Sequence, residues 1–320
     1  MSQLSNRWLG VACGVGAGAM WGMVFLAPKA TPDASPALMA AGRYLAYGLI
    51  AAVLVAPRWK RLTALLTGEA WRALVLLSVL GNLLYYALLV VAVHWAGVSA
   101  SALIVGMVPV VVALWGLREP GAAPLGRIAP ALALAVIAVV LIGHEASHGA
   151  PDASGAGEGT RPLWSSLVGL VCAIAALLSW SAYAVFNSRW LDRLPQVSAH
   201  DWSLLTGVVT GGLSLGLAVL ALFDPPRWAV SDWGLFAGVS VAVAFGASIV
   251  GNAFWNRASR LLPMTLMGQM IVFETLFALA YGFLLARRGP TLLEGLAVVL
   301  MVASVLLSVR AHGPEVEAER

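Results

Sequence analysis

Charge is what this sequence has least of. Of its 320 residues, 11% are charged and 60% are hydrophobic, whereas a soluble domain carries about 25% charged and about 45–50% apolar residues. The shortfall excludes an ordinary soluble domain, because so much apolar surface has to face lipid. Cysteine is nearly absent as well. Cys13 and Cys172 are the two; both fall inside apolar runs, where packing accounts for them, and we assign no disulfide. No G-x-x-x-x-G-K-[ST] stretch occurs, so nothing points to ATP hydrolysis by this chain. The net charge of +4 gives no nucleic-acid footprint, since the basic residues are scattered through short loops and form no stripe.

What is present is a series of long apolar runs. A helix needs about 20 apolar residues to cross a bilayer core. On that length we expect spans near 8–27, 37–56, 71–95, 97–116 and 126–143, then 163–187, 201–223, 233–254, 262–286 and 291–309. The first run resembles a secretory signal, but a signal core is about 7–15 residues, and Trp8 to Ala27 is longer. We read it as a permanent span. Prolines 28, 32, 36, 57, 120, 124, 195, 225, 226 and 290 all fall in connections, where helix breakers belong.

A polar gap from His144 to Pro162 divides the runs into two sets of five. Residues recur across it. Gly10, Cys13 and Trp21 match Gly169, Cys172 and Trp180 at an offset of 159. Asn82, Tyr86, Trp115 and Gly116 match Ser248, Asn252, Tyr281 and Gly282 at an offset of 166. The order is kept, which is the mark of a duplication. The expected domains are a first five-span repeat at 1–143, a linker at 144–162, a second repeat at 163–310 and a polar tail at 311–320. Short-loop Lys and Arg set orientation: with a cytoplasmic N-terminus, thirteen lie on that side and five on the other, with Arg43 inside a span. Both termini are therefore expected in the cytoplasm, and an odd number of spans per half makes the repeats inverted. The fold class is all-α integral membrane, ten transmembrane helices in two inverted five-helix repeats.

Two stripes carry the polar chemistry. Asn82, Tyr85 and Tyr86 in the third span, and Ser248, Asn252, Trp255 and Asn256 in the eighth, recur at helical spacing on one face each. Unpartnered amides are costly in hydrocarbon, so each stripe faces either another helix or a wet cavity. Gly10, Gly14, Gly18 and Gly22 form a ladder on the first span that suits close helix packing. Glu274 lies near the middle of the ninth span, where a carboxyl has to be protonated or paired. Its functional reading is proton exchange or substrate orientation; the alternative is a structural ion pair. Arg43, in the second span, serves either substrate and Glu274 or the membrane edge.

One motif points elsewhere. His144-Glu145-Ala146-Ser147-His148 has the H-E-x-x-H form of a zinc protease helix. Gly149 and Pro151 follow at once, so we expect no stable helix for both histidines, no third ligand and no metal. An intramembrane zinc enzyme is the reading this leaves against.

The ordered set of motifs resembles the drug/metabolite transporter superfamily, EamA type. It comprises Met20-Trp21-Gly22 with Lys29, Ala41-Gly42-Arg43-Tyr44-Leu45, Val108-Pro109 and Leu117-Arg118-Glu119-Pro120 in the first half. The second half contributes Ser179-Trp180-Ser181-Ala182-Tyr183, Gly251-Asn252-Ala253-Phe254-Trp255-Asn256 and Phe273-Glu274-Thr275. Thr275 departs from the proline that often follows the acidic residue in the family. The resemblance implies a non-enzymatic inner-membrane transporter working by alternating access, with roles in exporting amino acids or related metabolites. Substrate contacts are expected at Asn82, Tyr86, Asn252, Trp255 and Asn256, lining or gating at Trp21 and Trp180, and coupling or gating at Glu274 and Arg43. A drug or quaternary-ammonium exporter is the alternative. The expected partners are a small-molecule substrate and membrane lipid, with no cofactor and no nucleic acid; the expected state is a monomer or homodimer.

Overall fold

The computed structural model describes residues 2–31, 33–96, 101, 104–119, 122–148, 163–221, 223, 226 and 228–312, and among them every regular element is helical. Hydrocarbon offers backbone groups no water, so a spanning segment satisfies them within itself. In chain order the helices are α1 (Ser2–Gly22), α2 (Pro36–Val55), α3 (Gly68–Ser78), α4 (Leu84–Ala96), α5 (Val108–Gly116), α6 (Leu125–His148) and α7 (Leu163–Arg193). The second half adds α8 (Ala199–Ala221), α9 (Val230–Val243), α10 (Asn252–Leu261), α11 (Met264–Met270), α12 (Val272–Ala286) and α13 (Leu292–Ala311). Two π-helical segments interrupt the α pattern: Val79–Leu83 joins α3 to α4, and Ala244–Gly251 joins α9 to α10.

Among the described residues, eight continuous stretches are long and apolar enough to cross a membrane: Pro36–Leu65, Gly68–Val93, Leu125–His144, Trp164–Arg193, Ala199–Ala221, Val230–Leu261, Met264–Leu285 and Leu292–Ala311. The chain is a multi-pass membrane protein. The eight match the second, third and fifth to tenth expected spans. The first and fourth differ. α1 begins among Ser2, Gln3, Ser5, Asn6 and Arg7, and the fourth is described as a helix of nine residues, α5. Of the expected linker, 149–162 lie outside the described residues, as do 313–320 of the tail.

Local sequence explains the helix starts. Ser35 accepts from Leu38 N–H at 3.2 Å, with Pro36 in the first turn of α2; Thr67 accepts from Ala70 N–H at 3.3 Å ahead of α3. α13 opens on a capping box in which Thr291 and Glu294 satisfy each other's backbone N–H, at 3.2 and 2.8 Å. Arg288 holds the same carboxylate with two bonds of 2.6 Å.

The helices cluster into two compact units, each drawn from both halves of the chain. The first is Met1–Leu83, Phe186–Leu262 and Phe273–Leu284; the second is Leu84–Val185, Pro263–Val272 and Leu285–Arg320.

In the first unit α2 lies along α8. A methyl on Gly48 would sit 2.6 Å from Gly211 Cα, so the two backbones touch. The glycine ladder of α1 is a packing surface: Gly18 lies against the backbone of Phe273 and Glu274, Gly22 against Phe277, and Tyr281 O–H donates to Ala19 C=O at 3.2 Å. Arg260 closes the turn between α7 and α8, donating to the carbonyls of Leu191, Leu194 and Val197 at 3.1, 3.1 and 2.6 Å.

In the second unit α13 lies along α6, and α11 packs on α5. Gly268 comes close enough to α5 that a methyl there would lie 2.8 Å from Pro109 C=O. Two polar contacts tie α11 to α13 and its C-cap: Ser304 O–H donates to Gln269 Oε1 at 2.8 Å, and Thr265 Oγ1 meets His312 Nε2 at 2.6 Å.

Candidate functional site

The first unit gathers a polar layer from α1, α2, the second π segment, α10 and α12. Trp21 ends α1 and is 8% exposed. Its indole N–H donates to the Ala247 carbonyl, inside the π segment, at 3.1 Å. Gly251 closes that segment, and a methyl there would lie 2.9 Å from Trp21 Nε1, so only glycine leaves the indole its place. Trp255, one turn into α10, stands 5.1 Å from Trp21 between ring centroids, tilted by 44°.

The charges come from α2 and α12. Arg43 is half-buried; its Nε donates to Ser248 Oγ at 3.1 Å, and its guanidinium carbon lies 5.4 Å from the Tyr44 ring centroid. It also acts electrostatically on Glu274. Glu274 sits in the first turn of α12, where the helix dipole favours a carboxylate. One turn beyond Arg43, Tyr47 donates to the Ser203 carbonyl at 2.6 Å, and the Asn252 side chain acts on the same hydroxyl. The arrangement sets a cation, a carboxyl, an amide and two indoles within one unit. A recess of about 270 Å³ on the same unit shares no residue with this layer.

The structure thus brings together Trp21, Arg43, Asn252, Trp255 and Glu274. Asn256 belongs to a different network. It is 2% exposed, accepts from Asn187 Nδ2 at 2.8 Å, and reaches Ala199 C=O at 3.5 Å; Trp202 N–H donates to Asn187 Oδ1 at 3.0 Å. Both amides are committed to joining helices. Asn82 lies in the first π segment, and its amide reaches Thr210 Oγ1 at 3.4 Å. Tyr86 and Trp180 belong to the second unit, where Trp180 stands 5.8 Å from Tyr183 between centroids. The expected stripe of Asn82, Tyr85 and Tyr86 is therefore divided, because the π segment ends between Leu83 and Leu84 and changes the helical phase there. Sequence reading missed Tyr47, although its place four residues after Arg43 puts both on one face of α2.

α6 continues through His148, against the expectation that no helix would hold both histidines of the H-E-x-x-H motif. The apolar run before it propagates the helix, since each added residue extends an existing nucleus. His144 is exposed, and the side chains of Glu145 and His148 lie outside the described residues. Among the described residues no group of three or more His, Cys, Asp or Glu side chains could hold a metal ion. Cys13 is buried, Cys172 half-buried, and both are free thiols.

Known proteins share this architecture. A solved crystal structure covers 96% of this chain and 99% of its own with a TM-score of 0.71, at 21% identity, a likeness of fold alone. Inner membrane protein YtfF of Escherichia coli is 33% identical over 316 residues, covering 94% of this chain and 95% of that protein. An uncharacterized transporter of Archaeoglobus fulgidus is 24% identical over 259 residues, covering 78% of this chain and 80% of that protein. The model of the EamA-like transporter family matches twice, at residues 8–143 and 167–310. With both halves of the chain matched, this protein belongs to the EamA-like transporter family.

Proposed function

We propose that this chain is a secondary transporter of the inner membrane that exports a small amphipathic metabolite, such as an amino acid, by alternating access. The observation that carries the reading is that Arg43, Glu274, Trp21, Trp255 and Asn252 stand in one unit, with Arg43 acting electrostatically on Glu274 and Trp21 set against Trp255. A zwitterion needs both charges: a guanidinium for its carboxylate and a carboxylate for its ammonium group. Indole faces suit its apolar part and add to the hold on the ammonium. Glu274 couples or orients, Tyr86 and Trp180 line or gate, and Asn82 and Asn256 support the helices that carry the site. Ten spans in two inverted repeats, 1–143 and 163–310, with both termini in the cytoplasm, complete the reading. The name of the Escherichia coli relative supports the inner membrane. Glu274 with the two indoles also suits a quaternary-ammonium or drug cation, which would have no use for Arg43.

The test is efflux of a labelled amino-acid and amine panel from proteoliposomes, with and without a pH gradient, for the unaltered protein, Glu274→Gln and Arg43→Gln. Export of an amino acid that both substitutions abolish is the expected result. Export of an amine that survives Arg43→Gln selects the cation exporter. Export unchanged in Glu274→Gln removes that carboxyl from coupling. If no solute moves while a control transporter works, the amino-acid and amine readings both fall.

A further inference from the structure

Arg43 extends in an unusual direction for its place in α2. It stands two turns after Pro36, where the helix begins, and side chains in an α-helix tilt toward the N-terminus. An arginine so near the start of an apolar stretch ordinarily reaches back to the membrane edge and keeps its charge in water. Here the neighbours fix the opposite course. Gly42 sets the level: a methyl on it would lie 2.5 Å from Ser240 Oγ and 2.6 Å from Phe236 Cζ, both on α9. Arg43 Nε donates to Ser248 Oγ, which lies eight residues further along the same continuous span than Ser240, roughly 12 Å at 1.5 Å per residue. Tyr47, one turn after Arg43, is met by Asn252, one turn after Ser248. The two spans therefore run in the same direction, and Ser248 lies on the interior side of Arg43.

We infer that Ser248 is a positioning residue for carboxylate recognition: it holds the Arg43 guanidinium inward by Nε, so that Nη1 and Nη2 receive a two-oxygen anion end-on. The inference rests on the role proposed above for Arg43 toward the substrate carboxylate.

Three observations carry it. First, the anchor is buried and built in. Ser248 is 1% exposed and belongs to the π segment, where the residue before it, Ala247, holds the Trp21 indole by its carbonyl. Two consecutive residues thus place the indole and the guanidinium. Second, the guanidinium is fixed from another side as well, its carbon lying 5.4 Å from the ring centroid of buried Tyr44. Third, the far edge is open. Among the described residues, the bond to Ser248 is the one hydrogen bond Arg43 makes, and no ion pair engages it. With Nε taken, the remaining edge carries two parallel N–H groups, the spacing that matches the two oxygens of a carboxylate. A lysine at this position has no second edge to offer once its ammonium is held.

Two measurements test this. In the full chain labelled with ¹⁵N-arginine in detergent, the Arg43 Nε–H resonance, identified by its loss in Arg43→Gln, should exchange with water more slowly than that of exposed Arg61. Ser248→Ala should speed that exchange on the order of tenfold, and Ser248→Thr, which keeps the hydroxyl, should leave it slow. Fast exchange in the unaltered protein, or exchange unchanged in Ser248→Ala, overturns the inference whether or not any solute is transported. In proteoliposomes, Ser248→Ala should raise the half-saturating concentration of the exported amino acid about tenfold, with less than about a twofold change in maximal rate, and Ser248→Thr should restore it. A lowered maximal rate at an unchanged half-saturating concentration assigns Ser248 to packing and refutes the positioning role. Export that survives Arg43→Gln removes the carboxylate reading and this inference with it. Export lost in Arg43→Gln but untouched in Ser248→Ala removes the inference and leaves that reading standing.

Discussion

In the first unit, a methyl on Gly10 would meet Leu262 at 2.7 Å and Leu261 at 3.0 Å; in the second, a methyl on Gly169 would meet Ala96 N at 2.5 Å and the Trp95 carbonyl carbon at 2.9 Å. These are one contact seen twice. Gly10 and Gly169 are 159 apart, and Trp95 and Ala96 become Leu261 and Leu262 at the offset of 166 found from other residues. The chemistry at the corresponding positions has not been kept in the same way. Subtracting 166 takes Gly251, which makes room for Trp21, to Tyr85; Asn252 to Tyr86; and Glu274-Thr275 to Val108-Pro109. One repeat has the acid without the proline, and the other has the proline without the acid. Close backbone packing is a requirement on both halves, whereas a charge in hydrocarbon is costly and rare, and Arg43 and Glu274 both stand in the first unit.

The comparison makes demands of different size. The largest concerns the charges found on one side alone: Glu274→Gln or Arg43→Gln should lower initial efflux on the order of tenfold or more, because each leaves its partner without an opposite charge. Val108→Glu in the unaltered background should confer no second transport activity. Next is the closure of the first unit. Arg260→Ala removes three charge-assisted bonds to carbonyls and should cost about 2–3 kcal/mol, read as a lowered Tm in detergent. The repeated glycine contact should then separate by what it touches. Gly169→Ala presses on backbone and should cost about 1–3 kcal/mol, while Gly10→Ala presses on a leucine side chain that can turn aside and should cost less than about 1 kcal/mol. Equal losses would mean that the two contacts are no longer distinguishable by stiffness. Asn256→Leu should lose about 1 kcal/mol of stability and leave the apparent affinity for substrate unchanged. Asn252→Leu should do the reverse, weakening substrate binding more than it lowers Tm.

Much of the fold was legible because its causes are local or compositional. Of the ten apolar runs found by length, eight stand among the described residues as helical stretches long enough to span, and the glycine ladder of α1 became a packing face. The site was legible in part. Trp21, Arg43, Asn252, Trp255 and Glu274 share the first unit, and what marked them was polarity or bulk in apolar sequence. Asn256 carried the same mark, yet its amide is spent on Asn187. Residue type cannot separate an amide that joins helices from one that faces a solute, since both need a partner and differ only in whose side chain supplies it. The grouping of helices was also hidden. Each unit takes helices from both halves of the chain, a matter of long-range pairing that no local pattern records.

The two π segments carry a consequence for how such chains are read. Val79–Leu83, moved by 166, falls inside Ala244–Gly251, so both halves widen the backbone at the same point. Where N–H reaches back five residues in place of four, an extra residue is absorbed within the helix. At 3.6 residues per turn, one residue is about 100° of rotation. A wheel drawn straight through Gly68–Val93 or Val230–Leu261 therefore loses register midway, and a face assigned above the segment points elsewhere below it. In this family, a gap placed inside a helix can be truer to the backbone than one placed in a loop.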